Sequence, residues 1–202
     1  MALVSSRTRI RVWEISLTGA IICFAWLLQL TVLSGIELKE VICSLPLTMT
    51  IVWGAVFGSA LPALTPEELR SATLSEVMMR QAIAGSTSAC LVGATFGALY
   101  ASIIPVYPVC YPLIGWIAGY FCLKDFSQAP LLCIPLVFGG TIFAETIMAC
   151  QLALTQRPDV FQNLIQVALP EAAVNSIIAP LVLFPLRSWW EFSKHYLVTA
   201  EE

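Results

Sequence analysis

The chain has 202 residues, 58% hydrophobic and 11% charged, with a net charge of −3. A soluble domain carries about 25% charged residues, so this is a membrane composition, with room for one helical bundle and no second domain. It contains no basic stripe of the kind that nucleic-acid binding needs, which excludes nucleic acid as a partner.

Six long apolar stretches run near 12–34, 41–63, 82–104, 106–123, 130–154 and 163–187. Crossing the roughly 30 Å hydrocarbon core of a bilayer takes about 20 helical residues. The sequence therefore predicts an all-α integral membrane protein: a bundle of six transmembrane helices forming one domain over 1–202. The first stretch also resembles a signal peptide. However, the apolar run from Ile15 to Leu33 exceeds the roughly 7–15 residues of a signal core, and Leu33-Ser34-Gly35 is a poor cleavage site. The first span is expected to be retained.

Topology follows from the basic residues. With the N-terminus in the cytoplasm, Arg7, Arg9, Arg11, Arg70, Arg80, Lys124, Arg187 and Lys194 all fall inside, and only Lys39 and Arg157 fall outside. This asymmetry predicts that both termini are cytoplasmic. Tyr100, Tyr107 and Tyr111 then lie near the outer surface, and Trp13, Trp189 and Trp190 near the inner one, as an aromatic belt would.

Between the second and third spans, Thr65 to Gln81 reads as a short cytoplasmic amphipathic helix near 66–80. Thr65 is placed to cap it, Pro66 suits its first position, and Glu67 and Glu68 fall in its first turn. Its acidic character argues against docking on anionic lipid. It is either a plain connector lying on the bundle or a partner-binding element.

The third span carries small residues at Gly85, Ala89, Gly93, Gly97 and Ala101. In lipid, such residues let helix backbones approach closely. Four-residue steps overshoot a helical turn by about 40° each, so the stripe winds. It is expected to face different neighbours along its length, or one neighbour that crosses steeply. Gly54 and Gly58 in the second span, and Gly115 and Gly119 in the fourth, repeat the spacing.

A tight outer turn around Pro158 makes the fifth and sixth spans antiparallel neighbours. Glu145 and Glu171 lie equally far from Pro158, and so do Thr141 and Asn175. Each pair should therefore share a depth, and the four residues are predicted to form one buried polar patch. Intramembrane carboxylates are functional-site candidates by default. Two brought together would share a proton rather than both ionise. Pro170, beside Glu171, disturbs the helix there. The patch is compatible with a structural or partner-binding role and with a transport or ion site.

The seven cysteines, Cys23, Cys43, Cys90, Cys110, Cys122, Cys133 and Cys150, are scattered singly. They read as small apolar fillers rather than metal ligands or disulfides. His195 stands alone in the polar tail. No Ser-His-Asp set, H-E-x-x-H motif, P-loop or dinucleotide turn is present. No enzyme activity, cofactor or metal is expected.

The segment Ala179-Pro180-Leu181-Val182-Leu183-Phe184-Pro185-Leu186-Arg187-Ser188-Trp189-Trp190-Glu191 resembles the end of the cyanobacterial type of the rod-shape-determining MreD family. There, too, the last span finishes with a proline, a leucine and an aromatic pair close to the cytoplasm. Ala144-Glu145-Thr146 with Leu152-Ala153-Leu154 is similar to that family's preceding helix. Gly35-Ile36-Glu37-Leu38, followed by Pro46 and Trp53, is similar to its first outer loop and second span. One position departs: many members carry an acidic residue where this chain has Ala101. The resemblance implies a non-enzymatic scaffold subunit of the cell-elongation and wall-synthesis machinery. It would sit in the bacterial inner membrane and contact an MreC-like scaffold and wall-synthesis enzymes. The alternative from a different class is a small-molecule binding or transport subunit, such as the substrate-capturing component of a vitamin transporter.

Overall fold

A computed structural model describes residues 2–33, 43–57, 74–101, 105–119, 121, 129–154 and 164–199. The described residues are all-helical, with no strand. Six α-helices follow in order: α1 (Ala2–Thr31), α2 (Leu45–Phe57), α3 (Leu74–Tyr100), α4 (Tyr107–Ala118), α5 (Ala129–Leu154) and α6 (Leu169–Thr199). Leu131–Leu154 and Leu164–Trp189 are long and apolar enough to cross a membrane. Ser16–Thr31, Leu45–Phe57 and Thr87–Tyr100 are apolar but shorter. The 12 residues of α4 rise only about 18 Å. Thus two of the six helices have spanning length and composition.

One boundary differs from the sequence expectation. Leu74 to Gln81 do not close a separate surface helix; they run without a break into α3. The helical spacing of Val77 and Arg80 is therefore the spacing of α3's own first turns. The rest of the expected surface helix lies outside the described residues, as does Gly58.

Helix α2 is the axle of the bundle. It packs against α1, α3, α4, α5 and α6. Every residue from Leu45 through Val56 is buried, which explains why its sequence is apolar on all sides rather than amphipathic. Thr48 and Thr50 fit there because each hydroxyl bonds back four residues, to the carbonyls of Ser44 and Pro46 at 2.9 and 2.8 Å.

A five-residue π turn, Leu164–Ala168, leads into α6. Pro170 explains it. The proline has no N–H to offer the Gln166 carbonyl, and its ring crowds that carbonyl, so the preceding turn widens.

The closest packing joins α3 to α4. A Cβ built on Gly93 would lie 2.5 Å from the Tyr111 carbonyl oxygen, and one on Gly97 would lie 2.6 Å from that of Tyr107. One on Gly115 would lie 2.5 Å from the Ala89 carbonyl oxygen. Ala89, Gly93 and Gly97 thus meet a single neighbour, in antiparallel register, four-residue steps against four-residue steps. Matched rows of this kind belong to a steep crossing of roughly 50°, which is how one helix follows a winding stripe. Gly54 of α2 closes the junction, its Cβ position lying 2.9 Å from Ala118 Cβ, Gly115 O and Gly119 N. Ala101, beyond the last α3 turn, is half-buried. What surrounds Gly85 lies outside the described residues.

Candidate functional site: a polar network at the head of α2

A buried helix start leaves amide N–H groups without partners. Two distant side chains supply them here. Asn175 of α6 accepts the Ser44 amide on its Oδ1 at 2.9 Å. Gln29 of α1 accepts the Leu45 amide on its Oε1 at 2.9 Å and donates from Nε2 to the Cys43 carbonyl at 2.7 Å.

Asn175 is fully used. Its Oδ1 also accepts the Cys43 thiol at 3.3 Å, and its Nδ2 donates to Thr141 Oγ1 at 3.3 Å and to Glu171 Oε1 at 3.5 Å. An asparagine amide has two acceptor sites and two donors, and all four are engaged. Its orientation is fixed chemically, because the Ser44 N–H can only donate and so must face the oxygen.

The structure brings together Thr141, Asn175 and Glu171 of the sequence-predicted patch. Glu145 lies one turn from Thr141 on the same face of α5 and is buried. Tyr111 Oη lies 3.3 Å from Ser44 Oγ. The Tyr107 and Tyr111 rings stack with centroids 4.6 Å apart, and Tyr100 meets Tyr107 edge-on at 6.4 Å. The tyrosines and the carboxyls therefore share one end of the bundle.

The opposite end of α2 is aromatic. Trp53, Phe57 and Trp189 form a closed triangle with centroids 4.6 to 5.6 Å apart. Trp53 Nε1 is buried there without a described partner. Near this end, exposed Arg187 pairs with Glu191 at 3.1 Å.

Sequence reasoning missed Gln29, Cys43, Ser44 and the tyrosine pair as members of the network. A signal for the helix start exists in Ser44-Leu45-Pro46, a capping residue followed at once by a proline in the first turn. Nothing local marks Gln29 as its partner. Among the described residues, no group of three or more His, Cys, Asp or Glu is placed to hold a metal ion. Compared with known proteins, the chain matches no family model, no curated protein and no solved structure.

Proposed function

We propose that the chain is a non-enzymatic scaffold subunit that crosses the bacterial inner membrane six times with both termini in the cytoplasm. It resembles the MreD family and serves the cell-elongation machinery. The observation that carries the scaffold reading is the commitment of Asn175, Gln29, Thr141 and Ser44 to holding α2. Polar groups so engaged are not available to a substrate. The membrane reading is supported by the outside of the bundle. Phe24, Leu91, Val109, Leu131, Ile177 and Leu181 are each more than half exposed. That distribution suits lipid and is unfavourable in water.

The rival reading, a substrate-capturing transport subunit, requires an outward cavity with convergent free polar groups. Among the described residues, the buried side chains of Gln29, Thr48, Thr50, Thr141, Asn175 and Ser176 are all engaged in hydrogen bonds within the bundle.

Affinity purification from bacterial membranes in mild detergent, with mass spectrometry of the bound proteins, tests the proposal. An MreC-like scaffold and wall-synthesis enzymes are expected. Recovery of transporter subunits in their place overturns it.

A further inference from the structure

Two turns bracket α4. Val106 stands at its start, and Gly119 closes its end, where the Gly119 amide bonds back to the Gly115 carbonyl at 3.1 Å. The Phe121 amide then bonds to the Ala118 carbonyl at 3.0 Å, so the chain bends here instead of continuing as helix. Pro105, in the turn before the helix, and Phe121, in the bend after it, are both exposed. The helix between them is open on one side, at Val109, Leu113 and Trp116.

Irregular backbone facing lipid does not occur within the hydrocarbon core, because its amides and carbonyls find no partners there. In a membrane, both turns must therefore sit at polar interfaces. From Val106 to Gly119 the helix rises about 20 Å, against a hydrocarbon core of roughly 30 Å. Its neighbours are longer. Leu131–Leu154 and Leu164–Trp189 have spanning length. Helix α3, whose Ala89 carbonyl meets Gly115, runs on from Ala89 to Leu74, about 22 Å further. At the other end α3 and α4 finish together, where the Tyr100 and Tyr107 rings meet. The shortfall is thus local to α4 and lies mainly at the end that faces Gly54.

A bilayer accommodates a short apolar face by thinning against it. We propose that the membrane thins by about 10 Å along α4, so that Val109, Leu113 and Trp116 take short or disordered acyl chains while α5 and α6 meet lipid of ordinary thickness. The inference rests on the six-span membrane reading and does not depend on which partner the bundle holds.

The test uses the full chain in lipid nanodiscs. A lipid-facing lysine costs most where both interfaces are far away, and little where its ammonium reaches one of them. Leu113 is central in α4 and Phe143 is central in Leu131–Leu154, with similar exposures of 39% and 44%. Lysine is compared with alanine at each site, which cancels the lost packing. The fall in Tm from Leu113→Ala to Leu113→Lys should be less than half that from Phe143→Ala to Phe143→Lys. Equal falls overturn the proposal. So does a concentration-dependent dimer that Leu113→Lys abolishes, which assigns the face to a second copy of the chain. If a lysine variant fails to fold, hydrogen exchange of the wild-type chain decides. The Val106 and Phe121 amides should exchange with water at least tenfold faster than that of Ile114, and equal protection at all three rejects thinning. A chain that does not enter nanodiscs refutes the membrane reading and this inference with it, whereas one that enters with protected turns refutes the thinning alone.

Discussion

Asn175 closes the start of α2 by accepting the Ser44 amide at 2.9 Å, across 131 positions of chain. The same side chain engages Cys43, Thr141 and Glu171. Replacing it removes a helix cap and an α5–α6 link together. Asn175→Leu should destabilise the bundle by about 2–4 kcal/mol, because the buried Ser44 amide and the Thr141 hydroxyl lose partners. Gln29→Leu should cost about 1–3 kcal/mol for the Leu45 amide. Both act on one helix end, so the double variant should lose less than the sum. Unfolding midpoints in a mild denaturing detergent measure all three. Strict additivity would show that the two caps act separately.

The α3–α4 contact has no room for side chains. Gly93→Leu or Gly97→Leu would drive a Cβ to within 2.5 or 2.6 Å of a carbonyl oxygen on α4. Each should destabilise the bundle by several degrees in Tm or lose a partner contact. Gly139 provides the internal comparison, since nothing lies within 4 Å of its Cβ position. Gly139→Leu should leave the Tm nearly unchanged. Equal effects at Gly93 and Gly139 would show that close approach is not what glycine provides here.

Where a sequence records its own spacing, the fold was legible. Thr141 and Asn175 stand equally far from Pro158, and their side chains meet at 3.3 Å. The turn expected around Pro158 lies outside the described residues, yet counting outward from it puts the two in the register their contact shows. The stripe of small residues was legible as a packing surface. Its partner was not, because a four-residue row shows which face is smooth and not which helix carries the matching row. The caps on α2 were hidden for a related reason. Gln29 is one polar residue in an apolar span, and its meaning comes from a helix start 16 residues further on. The start of α3 was misread because Leu74–Gln81 has helical spacing whether it lies on a surface or continues a span.

The scaffold and transport readings separate at the carboxyls. On the scaffold reading, Glu145→Gln and Glu171→Gln keep the bundle folded and keep its co-purifying partners, since a glutamine at 171 still accepts from Asn175 Nδ2. Loss of the partners from either variant, with the fold intact, would move the functional site to this pair.

Cysteine chemistry reports both burial and sidedness. Cys23 and Cys150 are exposed on the bundle, whereas Cys43, Cys110 and Cys133 are buried. In the folded protein Cys43, Cys110 and Cys133 should therefore resist a small membrane-permeant maleimide and react only once the bundle is unfolded. In a cysteine-free background, Ser71→Cys should react with an impermeant reagent only from the cytoplasmic side. Labelling from the outer side would overturn the six-span topology.

The trans capping of α2 sets an order of assembly. This helix is made well before α6, which carries the oxygen that satisfies its Ser44 amide. Until α6 arrives, the head of α2 carries an open amide, which on the membrane reading lipid does not satisfy. The segment must therefore wait beside water, an insertase or another protein. Completion of α6 is then the event that commits the whole bundle, and truncation before Asn175 should leave an unfinished axle rather than a smaller stable protein.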